Sequence, residues 1–183
     1  MLVIALFIRD AFQIPTAAGI PPLSPPVPAV SGVPAATPDV VRQWQQWWDQ
    51  LLAYEGTRRE GGGPWMPRGA GPRMKPDESR YPRLAAVAAE AWDPAVRYAN
   101  QRAREAPDLF RHVGPDAVER EYFARRRPLR WRPRPVDVGV TVIPVGGPLA
   151  MPRAGCHLLL SRQSYSDRGA YRAALDETLL LAG

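Results

Sequence analysis

The sequence predicts an α+β fold: a mainly helical N-terminal two-thirds, then a C-terminal antiparallel β-hairpin covered by a final helix. Two observations carry this. Between residues 38 and 127, apolar side chains recur at three- and four-residue spacing in segments opened by proline, which is the period of a helix with one buried face. From Val136 the period changes to two, and a second apolar run, Cys156 to Ser161, follows a turn region. A chain of 183 residues with 45% apolar content suits one domain, residues 37–183, preceded by a proline-rich arm, residues 1–36.

The arm opens with an apolar run, Leu2 to Ile8, too short to span a membrane. No basic residue precedes it, and Arg9 and Asp10 follow directly, so a signal peptide is not expected. No charged residue occurs between Asp10 and Asp39, and eight prolines fall within the first 38 residues. Proline fixes φ and lacks an amide donor, so this stretch should be extended and partly polyproline II. Pro22-Leu23-Ser24-Pro25 has the spacing that aromatic grooves of partner proteins recognise. The plainer expectation is a strap along the protein's own surface, or a linker.

A helix is predicted from Pro38 to Tyr54, with Thr37 as its cap, Pro38 at its first position and Asp39 complementing its dipole. Val40, Val41, Trp44, Trp47, Trp48, Leu51 and Leu52 form its apolar stripe, and each buried tryptophan is worth on the order of 2–3 kcal/mol. Its opposite face carries one arginine, too few for a helix lying on a membrane surface. Residues 56–79 read as a Gly/Pro-rich loop, with Trp65 and Met66 pinning it to the body. Gly61 to Gly63 do not make a phosphate-binding loop, because no Gly-Lys-Ser/Thr opens a helix after a strand. From Pro82 the chain is helical again. Asp93-Pro94 either starts a new helix running to about Arg104 or sits within one kinked helix. A turn from Pro107 to Val113 and a helix from Pro115 to before Pro128 follow. In the last third, Val136, Val138, Val140 and Val142 alternate with other residues as one strand. Pro144 to Pro152 is the turn, Cys156 to Ser161 is the second strand, and the two are expected to pair as the hairpin. Asp167 starts the final helix, whose Tyr171, Leu175 and Leu179 should cover the hairpin, since an isolated hairpin is marginal.

Of 24 basic residues, 23 are arginine and Lys75 is the one lysine. A GC-rich coding sequence produces that bias whatever the protein does, so a net charge of +6 and a pI near 10.1 do not by themselves point to nucleic acid. The strongest local signal is EREYFARRRPLRWRPRP. Between Arg120 and Arg134 stand seven arginines and one acid, Glu121, with Tyr122, Phe123 and Trp131 interleaved. Arginine forks suit carboxylates and phosphates, and aromatic faces can stack bases. The candidate binding surface is therefore Arg120, Arg125, Arg126, Arg127, Arg130, Trp131, Arg132 and Arg134. The competing reading is a solvated helix end followed by an edge strand whose arginines discourage pairing.

No reaction is spelled out. Cys156 is the single cysteine, which forbids an intrachain disulfide and is compatible with a reducing compartment. Cys156 and His157 are strand neighbours and point to opposite faces, so they do not form a nucleophile–base pair. Cys156 with the distant His112 is the remaining thiol arrangement, against a structural cysteine beside Leu158 and Leu160. Two histidines and one cysteine do not fill a structural zinc site, and Glu119, Glu121, Asp176 and Glu177 lack diagnostic spacing, so neither a metal nor a cofactor is expected.

Residues 136–179, VDVGVTVIPV through HLLLSRQSYSDRGAYRAALDETL, resemble the C-terminal ends of uncharacterised proteins from high-GC actinobacteria. The resemblance covers about a quarter of the chain. It implies a bacterial source and a hairpin–helix ending, and no catalytic role. The sequence as a whole reads as a cytoplasmic, non-enzymatic interaction or accessory protein whose partner is another protein. Nonspecific nucleic-acid binding through residues 120–134 and a small enzyme of unidentified chemistry are the alternatives. Partner identity and oligomeric state are not encoded in any motif.

Overall fold

The computed structural model describes residues 1–15, 19–28, 36–60, 75–105, 138–153 and 157–180. At its centre is a helix, α1 (Leu2–Ala11), whose residues Leu2 to Arg9 and Ala11 are all buried. A helix apolar on nearly every side has to be enclosed by protein, and α1 packs against both α2 (Pro38–Glu60) and α3 (Pro82–Glu105). This corrects the reading of residues 1–36 as an appended arm: their first third supplies much of the main core. The seven-residue apolar run, too short for a membrane span and unlike a signal peptide, is a core helix.

The second helix forms where the apolar stripe predicts it. Thr37 Oγ1 accepts from the Val40 amide at 3.4 Å, and Asp39 pairs with Arg42 on the first turn. Val40, Trp44, Trp47, Trp48, Leu51 and Leu52 are buried. Trp44 and Trp48, one turn apart, stack with ring centroids 5.4 Å apart and planes within 9°. Trp44 Nε1 donates to the Ala5 carbonyl at 3.0 Å, tying α2 to α1. The helix runs on to Glu60, so residues 56–60 are helical and not part of the expected loop. The apolar period ends at Leu52, and Gly56 and Thr57 are weak helix formers, which is why the sequence pattern marks this stretch as loop. Trp65 and Met66 lie outside the described residues.

The third helix settles the choice at Asp93-Pro94 in favour of one continuous helix. Asp93, Pro94 and Glu90 are all exposed, so the carbonyl that Pro94 leaves without an intrahelical donor faces water. Ala88, Ala91 and Ala95 are buried on the opposite side, where small side chains let α1 approach closely. Polar residues of α2 hold its first turn: Gln43 Oε1 accepts from the Leu84 amide at 2.9 Å, and the Tyr81 hydroxyl donates to Gln50 Oε1 at 3.0 Å. The expected turn at 107–113 and helix at 115–127 lie outside the described residues.

The C-terminal part contains a three-stranded sheet ordered β1 (Gly139–Ile143), β3 (His157–Ser161), β2 (Ala150–Arg153). An antiparallel hairpin is present, but it joins β2 to β3, with Met151 opposite Leu159. The first strand instead runs parallel to β3 on its other side, Val140 opposite Leu158. The two expected strands therefore do pair, but in parallel and not as a hairpin, and the hairpin partner of β3 is β2. The cause is visible in β3, which is buried at every position. Leu159 enters the main core, whereas Leu158 and Leu160 enter a second core with Tyr171 and Leu175. A strand apolar on both faces is central and needs two neighbours. The turn region supplies the second one, and its Pro152 is tolerated because β2 is an edge strand.

After β3 come a single helical turn, α4 (Arg162–Ser166), and the last helix, α5 (Arg168–Leu180). Asp167 starts α5 as expected, its Oδ1 accepting from the Gly169 and Ala170 amides at 2.9 and 3.1 Å. Tyr171 and Leu175 cover the sheet's outer face. The fold is α+β, and the sheet separates the two cores.

Residues 19–28 form the strap that the sequence suggested. Arg9, only 5% exposed, donates through Nη1 to the Ile20 carbonyl and through Nη2 to that of Pro21, both at 2.8 Å. Its Nε meets Asp10 Oδ1 at 2.6 Å, and Asp10 Oδ2 accepts from the Leu23 amide at 2.7 Å. Leu23 is buried and bridged to Val145, and the Tyr98 hydroxyl donates to the Pro25 carbonyl at 2.9 Å. The Pro22–Pro25 motif is thus held by the protein's own surface.

Candidate functional site

A cleft of about 410 Å³ opens where the carboxyl ends of β1 and β3 lie side by side. The segment leaving β1, Pro144 to Gly147, forms one wall, and Arg162, Gln163 and Ser166 of α4 form another. Ser24 of the strap and Arg102 and Glu105 of the last turn of α3 complete it. Crevices outside the carboxyl ends of parallel strands are where open α/β sheets gather ligands, because the strands fix the backbone and the loops vary.

Each wall is fixed by hydrogen bonds that its own sequence supplies. The Ser24 amide donates to the Pro144 carbonyl at 2.9 Å, and the Gly146 amide to that of Pro22 at 2.8 Å, clamping strap and turn together. Gly147 takes φ of +101°, a conformation that a side chain would strain. Ser161 Oγ accepts from the Ser164 amide at 3.2 Å and from the Leu149 amide at 3.0 Å, so one hydroxyl caps α4 and joins it to the start of β2. Arg102 lies over the Tyr98 ring at 5.4 Å and donates through Nη2 to Glu105 Oε2 at 2.6 Å. Glu105 Oε1 accepts from Gln101 at 2.7 Å. Burial raises the Tyr98 hydroxyl's pKa above its ordinary value; Asp10 and Glu105 add to the rise, and Arg102 opposes it.

Chemically the cleft offers donors. Among the described residues, two arginines, a glutamine and two serines line it, against one glutamate whose two carboxylate oxygens are both engaged. Arg162 is exposed and forms no ion pair among the described residues. Such a lining can hold an oxyanion; among the described residues it includes no thiol or imidazole.

None of the candidate binding-surface, catalytic or metal-ligand residues singled out in the sequence is among the described residues that line the cleft. Arg120, Arg125, Arg126, Arg127, Arg130, Trp131, Arg132 and Arg134 lie outside the described residues, as do His112, Cys156, Glu119 and Glu121. His157 is described: it is 1% exposed on the inner face of β3, its Nε2 2.9 Å from Thr141 Oγ1 on β1. That is a cross-strand structural contact. Asp176 and Glu177 sit on α5, and no cluster of three or more potential metal ligands occurs among the described residues. The cleft residues were missed because they come from four separate segments at no fixed spacing; only a correct strand pairing would have brought Pro144–Gly147 next to Arg162.

Charge is distributed unevenly. The described segments carry 14 basic and 13 acidic residues, so nearly all of the +6 excess belongs to residues 61–74 and 106–137. Among the described residues, no helix is long and apolar enough to cross a membrane. Comparison with protein-family models, curated proteins and solved structures finds no match.

Proposed function

We propose that this is a non-enzymatic, cytoplasmic bacterial interaction protein whose arginine-rich segment, residues 120–134, docks an acidic surface of another protein. One observation carries the reading. Arginine bias alone would spread positive charge over the chain, yet the described body is balanced almost one to one while residues 120–134 hold seven arginines to one acid. Guanidinium forks bind carboxylates in pairs, and interleaved tyrosine, phenylalanine and tryptophan supply contact area at low entropic cost. The actinobacterial resemblance of residues 136–179 is consistent with a bacterial source and adds no activity.

The test is affinity purification of the tagged chain from its native cell, with nuclease added, for wild type and for Arg125→Gln/Arg126→Gln/Arg127→Gln. A defined acidic protein should copurify with wild type and be lost from the variant. The same proteins on both would sink the reading. Nucleic acid is the second reading, favoured specifically by Trp131 among the arginines. It requires binding to single-stranded oligonucleotides that weakens steeply with salt, through counterion release, and that drops when Trp131 becomes alanine. Fluorescence anisotropy at two salt concentrations measures both, and no binding at low salt eliminates it.

A further inference from the structure

We infer that the cleft between α3, the strap and α4 is an oxyanion-binding site for a small molecule bearing a phosphate or carboxylate, with Arg162 as its charged anchor. The inference is argued from the described residues alone and does not rest on the arginine-rich segment.

Three features converge. The first is position: the cleft sits beyond the carboxyl ends of two neighbouring parallel strands, walled by the segments that leave each of them. Its volume, about 410 Å³, is within the range of small-ligand sites. The second is charge. Glu105, the one carboxylate among the described lining residues, is engaged at both oxygens by Gln101 and Arg102, so it offsets Arg102 and leaves Arg162 without an ion pair among the described residues. The third is preorganisation. Arg102 is held on two sides, by Glu105 and by the Tyr98 ring, and Tyr98 is itself tied to the strap through Pro25. Donors fixed before the ligand arrives lose little entropy when it binds. Gln163 and the hydroxyls of Ser24 and Ser166 give a bound oxyanion further neutral donors. A ligand carrying a single anionic group fits this balance; a polyanion would meet Glu105.

The test is isothermal titration of the full chain with inorganic phosphate and, separately, with acetate, the two arms distinguishing a phosphate from a carboxylate ligand. Three variants accompany wild type: Arg162→Gln, Ser166→Phe to fill the cleft, and Arg125→Gln/Arg126→Gln/Arg127→Gln. Arg162 and Ser166 are exposed, so their variants should fold, which circular dichroism checks. Wild type should bind at least one probe with 1:1 stoichiometry. Affinity should fall roughly tenfold or more in Arg162→Gln and in Ser166→Phe, the scale of one charge-assisted hydrogen bond, and stay unchanged in the triple variant. No binding of either probe by wild type, or binding that survives Arg162→Gln, overturns the inference. Binding lost only in the triple variant also overturns it, by assigning the anion to residues 120–134.

Discussion

Replacing Arg9 by methionine tests how the strap is held to the helical core. Methionine keeps most of the apolar volume of the side chain and removes its charge and its donors. Three acceptors are affected at once: Asp10 Oδ1, at 2.6 Å, and the carbonyls of Ile20 and Pro21, both at 2.8 Å. Asp10, whose side chain is 13% exposed, keeps the Leu23 amide but loses its countercharge. Breaking a buried ion pair from one side costs about 3–5 kcal/mol, chiefly because the surviving charge stays buried without compensation. Against a total stability of about 5–15 kcal/mol that is a large fraction. For a chain of this size it corresponds to a fall in Tm on the order of 6–20 °C. Urea unfolding followed by tryptophan fluorescence reads the loss directly, because Trp44, Trp47 and Trp48 are all buried. Adding Asp10→Asn should recover on the order of 1–3 kcal/mol, since the amide oxygen can still accept from Leu23 and the orphaned charge is gone. A cost below about 1 kcal/mol for Arg9→Met, or a double variant no more stable than the single, would refute the argument that a buried charge network fastens the strap.

Three further predictions follow from single contacts. Trp44→Phe should destabilise more than Trp48→Phe by roughly 1 kcal/mol, because Trp44 Nε1 serves the Ala5 carbonyl while Trp48 Nε1 has no hydrogen-bond partner among the described residues; equal urea midpoints would contradict this. Ser161→Ala should cost about 1–2 kcal/mol by removing both the α4 cap and an acceptor of the Leu149 amide, and hydrogen exchange at Ser164 should accelerate. Tyr98 gives a pH dependence. Its folded-state pKa lies above the ordinary 10.0, so the unfolded chain loses the proton first; the contribution is complete below pH 10.0 and is lost as pH rises through the folded value. Urea midpoints from about pH 8 to about pH 11 should therefore decline less steeply in Tyr98→Phe than in wild type, and identical slopes would contradict the assignment.

Local patterns in the sequence were legible where one element carried its own signal. The tryptophan stripe with its Thr37 cap, the Asp167 start of the last helix and the period-two strand all depend on neighbours a few residues apart. Pairing did not. The Leu158–Leu160 run states that both faces of β3 are buried, but not which segments lie beside it, and Ala150–Arg153 is too short and too proline-marked to announce a strand. The core role of α1 was legible in principle, since an apolar helix with no polar face must be enclosed, but the prolines that follow it give the whole of residues 1–36 the look of an extended arm. Arg9 and Asp10 then read as a charged stop, when they are the buried clasp of the strap. The cleft could not be seen at all without the sheet order, because Ser24, Arg102, Gly147 and Arg162 share no period.

In the function proposed for this chain, a protein partner docks on residues 120–134. Hydrogen–deuterium exchange of the chain with and without the copurifying acidic protein tests it most directly. Peptides covering Arg120 to Arg134 should become protected on binding, and the Arg125→Gln/Arg126→Gln/Arg127→Gln variant should show no such change. Protection that spares those peptides and appears elsewhere would contradict the claim.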